Sequence, residues 1–133
     1  MEYLLDTNAV TVWAKRDSHF IARLRNLTPA DLAISVLTEH ELLYGIACTS
    51  RFKLRPVLER LLTMLTKLPV DSAVAAKAAV ARADLRQRGL PIGPYDVLIA
   101  ATALQRNLTV VTNNTEEFKR GSGLLIEDWQ MSA

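Results

Sequence analysis

The feature that most constrains how this chain can fold is a set of short apolar runs that barely alternate with polar residues. Tyr3-Leu4-Leu5, Leu32-Ala33-Ile34-Ser35-Val36, Leu68-Pro69-Val70, Leu108-Thr109-Val110-Val111-Thr112 and Leu124-Leu125-Ile126 are each three to five residues long. A strand with one wet face alternates, whereas a strand covered on both faces reads as a continuous run. Between the runs lie helical patterns at residues 7–15, 19–27, 38–48, 51–67, 72–88 and 94–106. Thr28-Pro29 stops the second of these and Thr49-Ser50 breaks the third, while Pro56 either opens the fourth or kinks it. Gly89 caps the fifth and Pro94 opens the sixth. Strands that alternate with helices form a parallel sheet with helices on both faces. The expectation is an α/β fold of three layers, α/β/α, around a parallel sheet of four to five strands, in one domain over residues 1–133.

Composition narrows the function classes. Half of the residues are hydrophobic and 23% are charged, which excludes a disordered chain. The single cysteine, Cys48, leaves no internal disulfide and no Cys-based zinc site. No apolar run approaches the roughly 18 residues of a membrane span, and no signal-peptide pattern precedes the first strand, so a cytoplasmic protein is expected. The net charge of +2 is unevenly spread: residues 1–50 carry −2, residues 51–106 carry +6 and residues 107–133 carry −2. Eleven of the sixteen cations are Arg, the type that forks onto phosphate. Arg82, Arg86 and Arg88 are therefore candidate phosphate contacts for a polyanion, with a solvated helix face as the plain alternative. A stripe at Leu54, Val57, Leu58, Leu61, Leu62 and Leu65 serves either the core or an interface between copies.

Three acids stand out because sites in such folds form beyond the carboxyl ends of the strands. Asp6 ends the first strand. Glu41 lies one turn into the helix after the second. Asp96 sits in the first turn of a helix whose next nine residues, 97–105, carry no charge, so that helix is buried. Singly, each has a structural explanation: Asp6 as an N-cap, Thr38 and Glu41 as a capping box, Asp96 as an anion at a helix N-terminus. Jointly, they converge on one sheet edge. Clustered carboxylates repel unless a cation shares them, and an all-oxygen cluster suits magnesium or manganese better than zinc. Neither His19 nor His40 has metal-ligand spacing.

These residues fall in ordered motifs: Leu5-Asp6-Thr7-Asn8, Glu41-Leu42-Leu43-Tyr44-Gly45, Gly89 to Gly93 leading into Asp96-Val97-Leu98-Ile99-Ala100-Ala101, Leu108 to Asn114, and Glu127-Asp128-Trp129. In that order and at that spacing the chain resembles the PIN-domain ribonucleases, and among them the VapC toxins of bacterial toxin–antitoxin pairs. The resemblance implies that Asp6, Glu41 and Asp96 bind metal, with Thr7, Asn8 and Thr112 as polar supports. Many PIN domains carry a fourth acid where this chain has Asn114, whose amide oxygen can still serve the site or orient a metal-bound water, and Glu117, just before Phe118, is the substitute candidate for a metal ligand.

The activity so implied is hydrolysis of RNA phosphodiesters in exposed loops of structured RNA, tRNA above all, leaving a 5′-phosphate and a 3′-hydroxyl. Magnesium held by Asp6 and Asp96, with manganese able to substitute, would activate water that Glu41 positions or deprotonates. The resemblance also implies a VapB-type antitoxin, a homodimer, and larger assemblies joined through the antitoxin. Two rivals are a haloacid-dehalogenase-like phosphatase, which wants an acid where Asn8 stands, and a non-catalytic PIN-like RNA-binding or interaction module, which would be expected to have lost one of the three acids.

Overall fold

In the computed structural model, which describes residues 1–48, 53–121 and 123–130, five parallel strands form one sheet in the order β3-β2-β1-β4-β5. The strands are β1 (Tyr3–Leu5), β2 (Leu32–Ser35), β3 (Thr66–Leu68), β4 (Thr109–Val111) and β5 (Ile126–Glu127). The helices are α1 (Thr7–Ala14), α2 (Ser18–Leu24), α3 (Val36–Cys48), α4 (Arg55–Met64), α5 (Ser72–Gln87), α6 (Pro94–Arg106) and the single-turn α7 (Thr115–Phe118). Successive side chains of a strand point to opposite faces. Thus Leu5, Ile34 and Val111 pack with Val10, Phe20, Leu58, Leu62 and Trp129 on one face. Leu4, Ala33 and Val110 pack with Ile99, Ala103 and Phe118 on the other. This is the three-layer α/β/α architecture expected from the apolar runs.

The register positions the site. Leu5 of β1 pairs with Ile34 of β2 and with Val111 of β4. The residues that follow these strands therefore leave the sheet at one edge, and Asp6, the start of α3 and Thr112 are neighbours there. Asp6 N–H donates to the Val111 carbonyl (3.1 Å), and Thr112 N–H to that of Glu127 (3.0 Å).

Several boundaries differ from the sequence expectation. The third strand is Thr66–Leu68, before rather than across Pro69: Lys67 and Leu68 pair with Ile34 and Ser35, and Pro69 has no N–H to continue the ladder. That pairing ends the preceding helix at Met64, and Pro56 lies in its first turn, so there is no kink. The last strand is Ile126–Glu127, not residues 124–126, and α7 was not anticipated. The Thr49-Ser50 break and the start of the 51–67 pattern lie outside the described residues. Of the leucine stripe, Leu58, Leu61, Leu62 and Leu65 are buried, with Leu54 and Val57 packed against the same cluster, so it faces the core. Among the described residues no helix is long and apolar enough to cross a membrane.

Candidate active site

Asp6 is buried at the end of β1 and does two structural jobs. One oxygen, Oδ1, accepts the Ala9 N–H (2.8 Å), capping α1 as expected. The other, Oδ2, accepts the Thr112 hydroxyl, whose oxygen in turn accepts the Asn114 N–H (2.9 Å). Burial raises the Asp6 pKa first, and neighbouring Glu41 adds to it, against the lowering influence of these hydrogen bonds.

Glu41 does not complete a capping box. Helix α3 begins at Val36, so Thr38 is inside the helix, fully buried, and its hydroxyl has no hydrogen-bond partner among the described residues. The hydroxyl that reaches Glu41 belongs instead to Thr7, at 2.8 Å to Oε1. Thr7 therefore ties the first turn of α1 to α3 and turns the Glu41 carboxylate toward Asp6.

Asp96 lies in the first turn of α6, whose Val97, Ile99 and Ala100 to Ala103 are buried as the uncharged sequence requires. Every influence on its carboxyl acts in one direction. Burial is the largest, followed by Glu117, Asp6 and Glu41, and together they push its pKa up to about 6. Asp6, Thr7, Asn8, Glu41, Asp96 and Asn114 line one cleft of about 220 Å³. None of the salt bridges among the described residues reaches Asp6, Glu41 or Asp96.

Glu117 borders this cleft with both oxygens engaged. Oε1 accepts the Gly93 N–H (2.7 Å) and Oε2 the Asn114 amide (2.8 Å), and these two donors hold its carboxyl below the usual range. Gly93 is the residue before α6, and a Cβ there would lie 3.7 Å from Glu117 Oε1 and 3.8 Å from Asp96 Oδ2. Glu117 thus fastens the N-terminus of α6, and with it Asp96, to α7. The i,i+3 spacing of Asn114 and Glu117 was the available sequence signal for this pair; the link to Gly93 left none. Removing the carboxylate in Glu117→Ala should lower stability by about 1–2 kcal/mol, the lower end for a charged hydrogen bond because the group is only partly buried. Glu117→Gln should restore most of that, because an amide oxygen also accepts from Gly93. Thermal melts and cleavage rates of the two variants check this: a Gln variant that keeps its fold but loses cleavage would overturn the positioning role.

The basic residues separate. Arg82 and Arg86 are exposed and line a groove of about 1010 Å³ beside Pro91, Ile92 and Val97, ahead of Asp96. Arg88 pairs with Asp84 (2.9 Å) and donates to the Arg120 carbonyl (2.8 Å), which fastens the end of α5 to the turn after α7.

A divalent ion fits this donor set by its chemistry. The cleft offers hard oxygen donors, and two of its carboxyls, Asp6 and Asp96, are raised first by burial and further by the charge of neighbouring acids. As the side chains are placed, no three His, Cys, Asp or Glu residues among the described ones are gathered around a single point that could hold an ion. The hydrogen bonds explain the spacing: Thr112 and Ala9 hold Asp6, and Thr7 holds Glu41. Mutual repulsion opposes a closer approach in the absence of a cation.

Fold, strand-edge acids and cleft together describe a nuclease of the PIN class, and comparison with known proteins agrees. The chain belongs to the PIN-domain family, whose model matches residues 3–124. Within that family its relatives are VapC ribonucleases. The "tRNA(fMet)-specific endonuclease VapC" of Salmonella typhimurium is 37% identical over 134 residues, covering 97% of this chain and 98% of the relative. Among solved structures, DNA-bound VapBC from the same organism superposes with a TM-score of 0.87 at 37% identity, over 97% of this chain and 98% of that one. VapBC2 from Rickettsia felis, bound to a DNA fragment from its promoter, gives 0.87 at 32% identity over 97% and 99%.

Proposed function

We propose that this chain is the toxin of a VapBC-type pair, a magnesium-dependent endoribonuclease that cuts exposed loops of structured RNA. The observation that carries the reading is the convergence of Asp6, Glu41 and Asp96 on one cleft without a basic side chain paired to any of them among the described residues. Isolated structural acids would not be gathered in one cleft where Glu41 raises Asp6 and both of them raise Asp96.

Asp6, Glu41 and Asp96 are the residues that would hold the ion. Bound there, magnesium, or manganese in its place, would polarise the scissile phosphate and make water more acidic. The chain's own residues do the rest. Glu41, oriented by Thr7, accepts the proton of the attacking water. Thr112 keeps Asp6 aimed into the cleft, and Asn8 and Asn114 supply polar atoms at its wall. Both Glu117 oxygens are engaged, which supports a positioning role for it ahead of direct coordination. Arg82 and Arg86, free of salt bridges among the described residues, grip the RNA backbone. Arg88 contributes charge from a tethered position.

The named substrate of the Salmonella relative, tRNA(fMet), supports tRNA as the structured RNA, and an unpaired loop can bend into a cleft closed to a duplex. The VapBC complexes support a small antitoxin as partner. A homodimer in the cytoplasm, joined into larger assemblies through that antitoxin, completes the reading. Incubation of the purified chain with tRNA in magnesium, with an EDTA control, tests it. Cleavage only with magnesium, leaving 5′-phosphate and 3′-hydroxyl ends, is expected; 2′,3′-cyclic phosphate ends or cutting in EDTA would overturn it.

A further inference from the structure

Two of the three acids have an aromatic ring beside them in sequence, and the fold brings those rings together. His40 precedes Glu41 on α3, Tyr95 precedes Asp96 on α6, and the two rings stand 6.4 Å apart with an interplanar angle of 72°. Both are exposed: Tyr95 retains 42% of its surface. Tyr44, one turn beyond His40 and so on the same side of α3, retains 65%. Large aromatic rings are ordinarily drawn into a core or against a partner, and Trp13, Phe20 and Trp129 of this chain are packed in that way. His40, Tyr44 and Tyr95 are instead left in solvent, on the two helices that carry Glu41 and Asp96 into the acid cleft. None of them supports the core clusters among the described residues.

From this arrangement we infer that His40 and Tyr95, with Tyr44 beside them, form a stacking subsite for an unpaired nucleobase next to the scissile phosphate. The inference takes its ligand class from the nuclease reading above. Charge argues for a base as the occupant. The cleft is acidic, so the phosphates of a strand entering it are repelled everywhere except at a bound cation, and charge alone holds the strand poorly on this side. A flat ring surface is indifferent to that charge and accepts any base, because every base has a π-face. The exposed Arg82 and Arg86 lie in a different groove. The backbone would thus be gripped in that groove and a base stacked on the rings.

The test measures binding in EDTA, independently of cleavage, by fluorescence anisotropy of a labelled RNA hexamer and of a hexamer of equal length and charge with abasic sites. The wild-type chain should prefer the base-bearing strand by about 5- to 150-fold, the range expected of one stacked base. Tyr95→Ala and His40→Ala should each bring that ratio towards one, and Tyr95→Phe, which keeps the ring, should preserve it. Both alanine positions are exposed on helices, so the variants are expected to fold, and circular dichroism verifies that they do. A ratio unmoved by either alanine variant would overturn the inference. So would a changed oligomeric state with the ratio intact, which would give the rings to a contact between copies. A chain that shows the base preference yet never cleaves RNA would retain the subsite and remove the nuclease reading.

Discussion

Asp96→Asn should cost the protein its RNA cleavage, by about 100-fold or more, and at the same time make the metal-free protein more stable. The two effects have one cause. The Asp96 carboxyl is held near Glu117, Asp6 and Glu41 in a partly buried place, and its pKa is raised to about 6. An acid whose pKa is higher folded than unfolded takes up protons on folding between roughly pH 4 and pH 6, so its destabilising effect is absent below that window. It grows as pH rises through it and is complete above. Asn carries no charge to repel. Because Asp96 is only partly buried, solvent screening leaves much less than the full shift as stability, and a charge in the first turn of α6 is partly favoured by the helix dipole. A net gain of about 1 kcal/mol at pH 7.5 is expected, or roughly 3–5 °C in melting temperature for a chain of this size. The gain should fade towards pH 4. Melts in EDTA across that range, beside cleavage assays in magnesium, check both halves. A variant that still cuts RNA, or one destabilised at neutral pH, would contradict the proposal that these acids share a cation. Asp6→Asn and Glu41→Gln should lose cleavage similarly, and Asn at position 6 can still cap α1.

Much of this was legible in the chain. The run Tyr3-Leu4-Leu5 before Asp6 was enough to place that acid at a strand end, because a run apolar on both faces has few uses other than a covered strand. Pro94 and the uncharged stretch after Asp96 gave α6 with both of its ends correct, and together they made the carboxyl's surroundings dry. Local signals misled where pairing between distant segments decided the outcome. The third strand slid to Thr66–Leu68 because β2 offers its ladder there, and no property of Thr66 or Lys67 announces that. The capping-box pattern of Thr38 and Glu41 was satisfied in letters and absent in structure, since α3 starts two residues earlier and Thr7, 34 positions away in sequence, takes Glu41 instead. Glu117 was visible as an acid near the right motif. Its bond to the Gly93 amide was not, because a backbone N–H is the same at every position. The approach of His40 to Tyr95 joins rings carried on two different helices, α3 and α6, which neither helix encodes alone.

Trp129→Ala should be the most destabilising single change away from the acids, by about 3–5 kcal/mol. The indole is 1% exposed. It meets Tyr3 of β1 edge-on at 5.0 Å and Phe20 of α2 at 5.2 Å, so it joins the first strand, the second helix and the segment after the last strand. Its N–H donates to Glu127 Oε1 (2.9 Å), which also receives Arg23, and the Arg23 guanidinium lies 5.3 Å over the same ring. The Glu127-Asp128-Trp129 motif is thus a clasp between α2 and β5. Deleting the ring opens a cavity that rigid strands on one side cannot collapse into, which puts the cost at the upper part of the range for core truncations. Trp129→Phe should lose far less, about 1–2 kcal/mol, since it keeps an aromatic surface and gives up only the N–H bond and part of the volume. The clasp also reaches the acids through one backbone contact, because β5 supplies the Glu127 carbonyl that receives Thr112, and Thr112 holds Asp6. Cleavage by Trp129→Ala should therefore fall with temperature well before that of the wild-type chain, in step with its own melting curve. If the variant instead melts within about 1 kcal/mol of wild type, the C-terminal segment is dispensable to the core, and Asp6 must owe its placement to β1 and β4 alone.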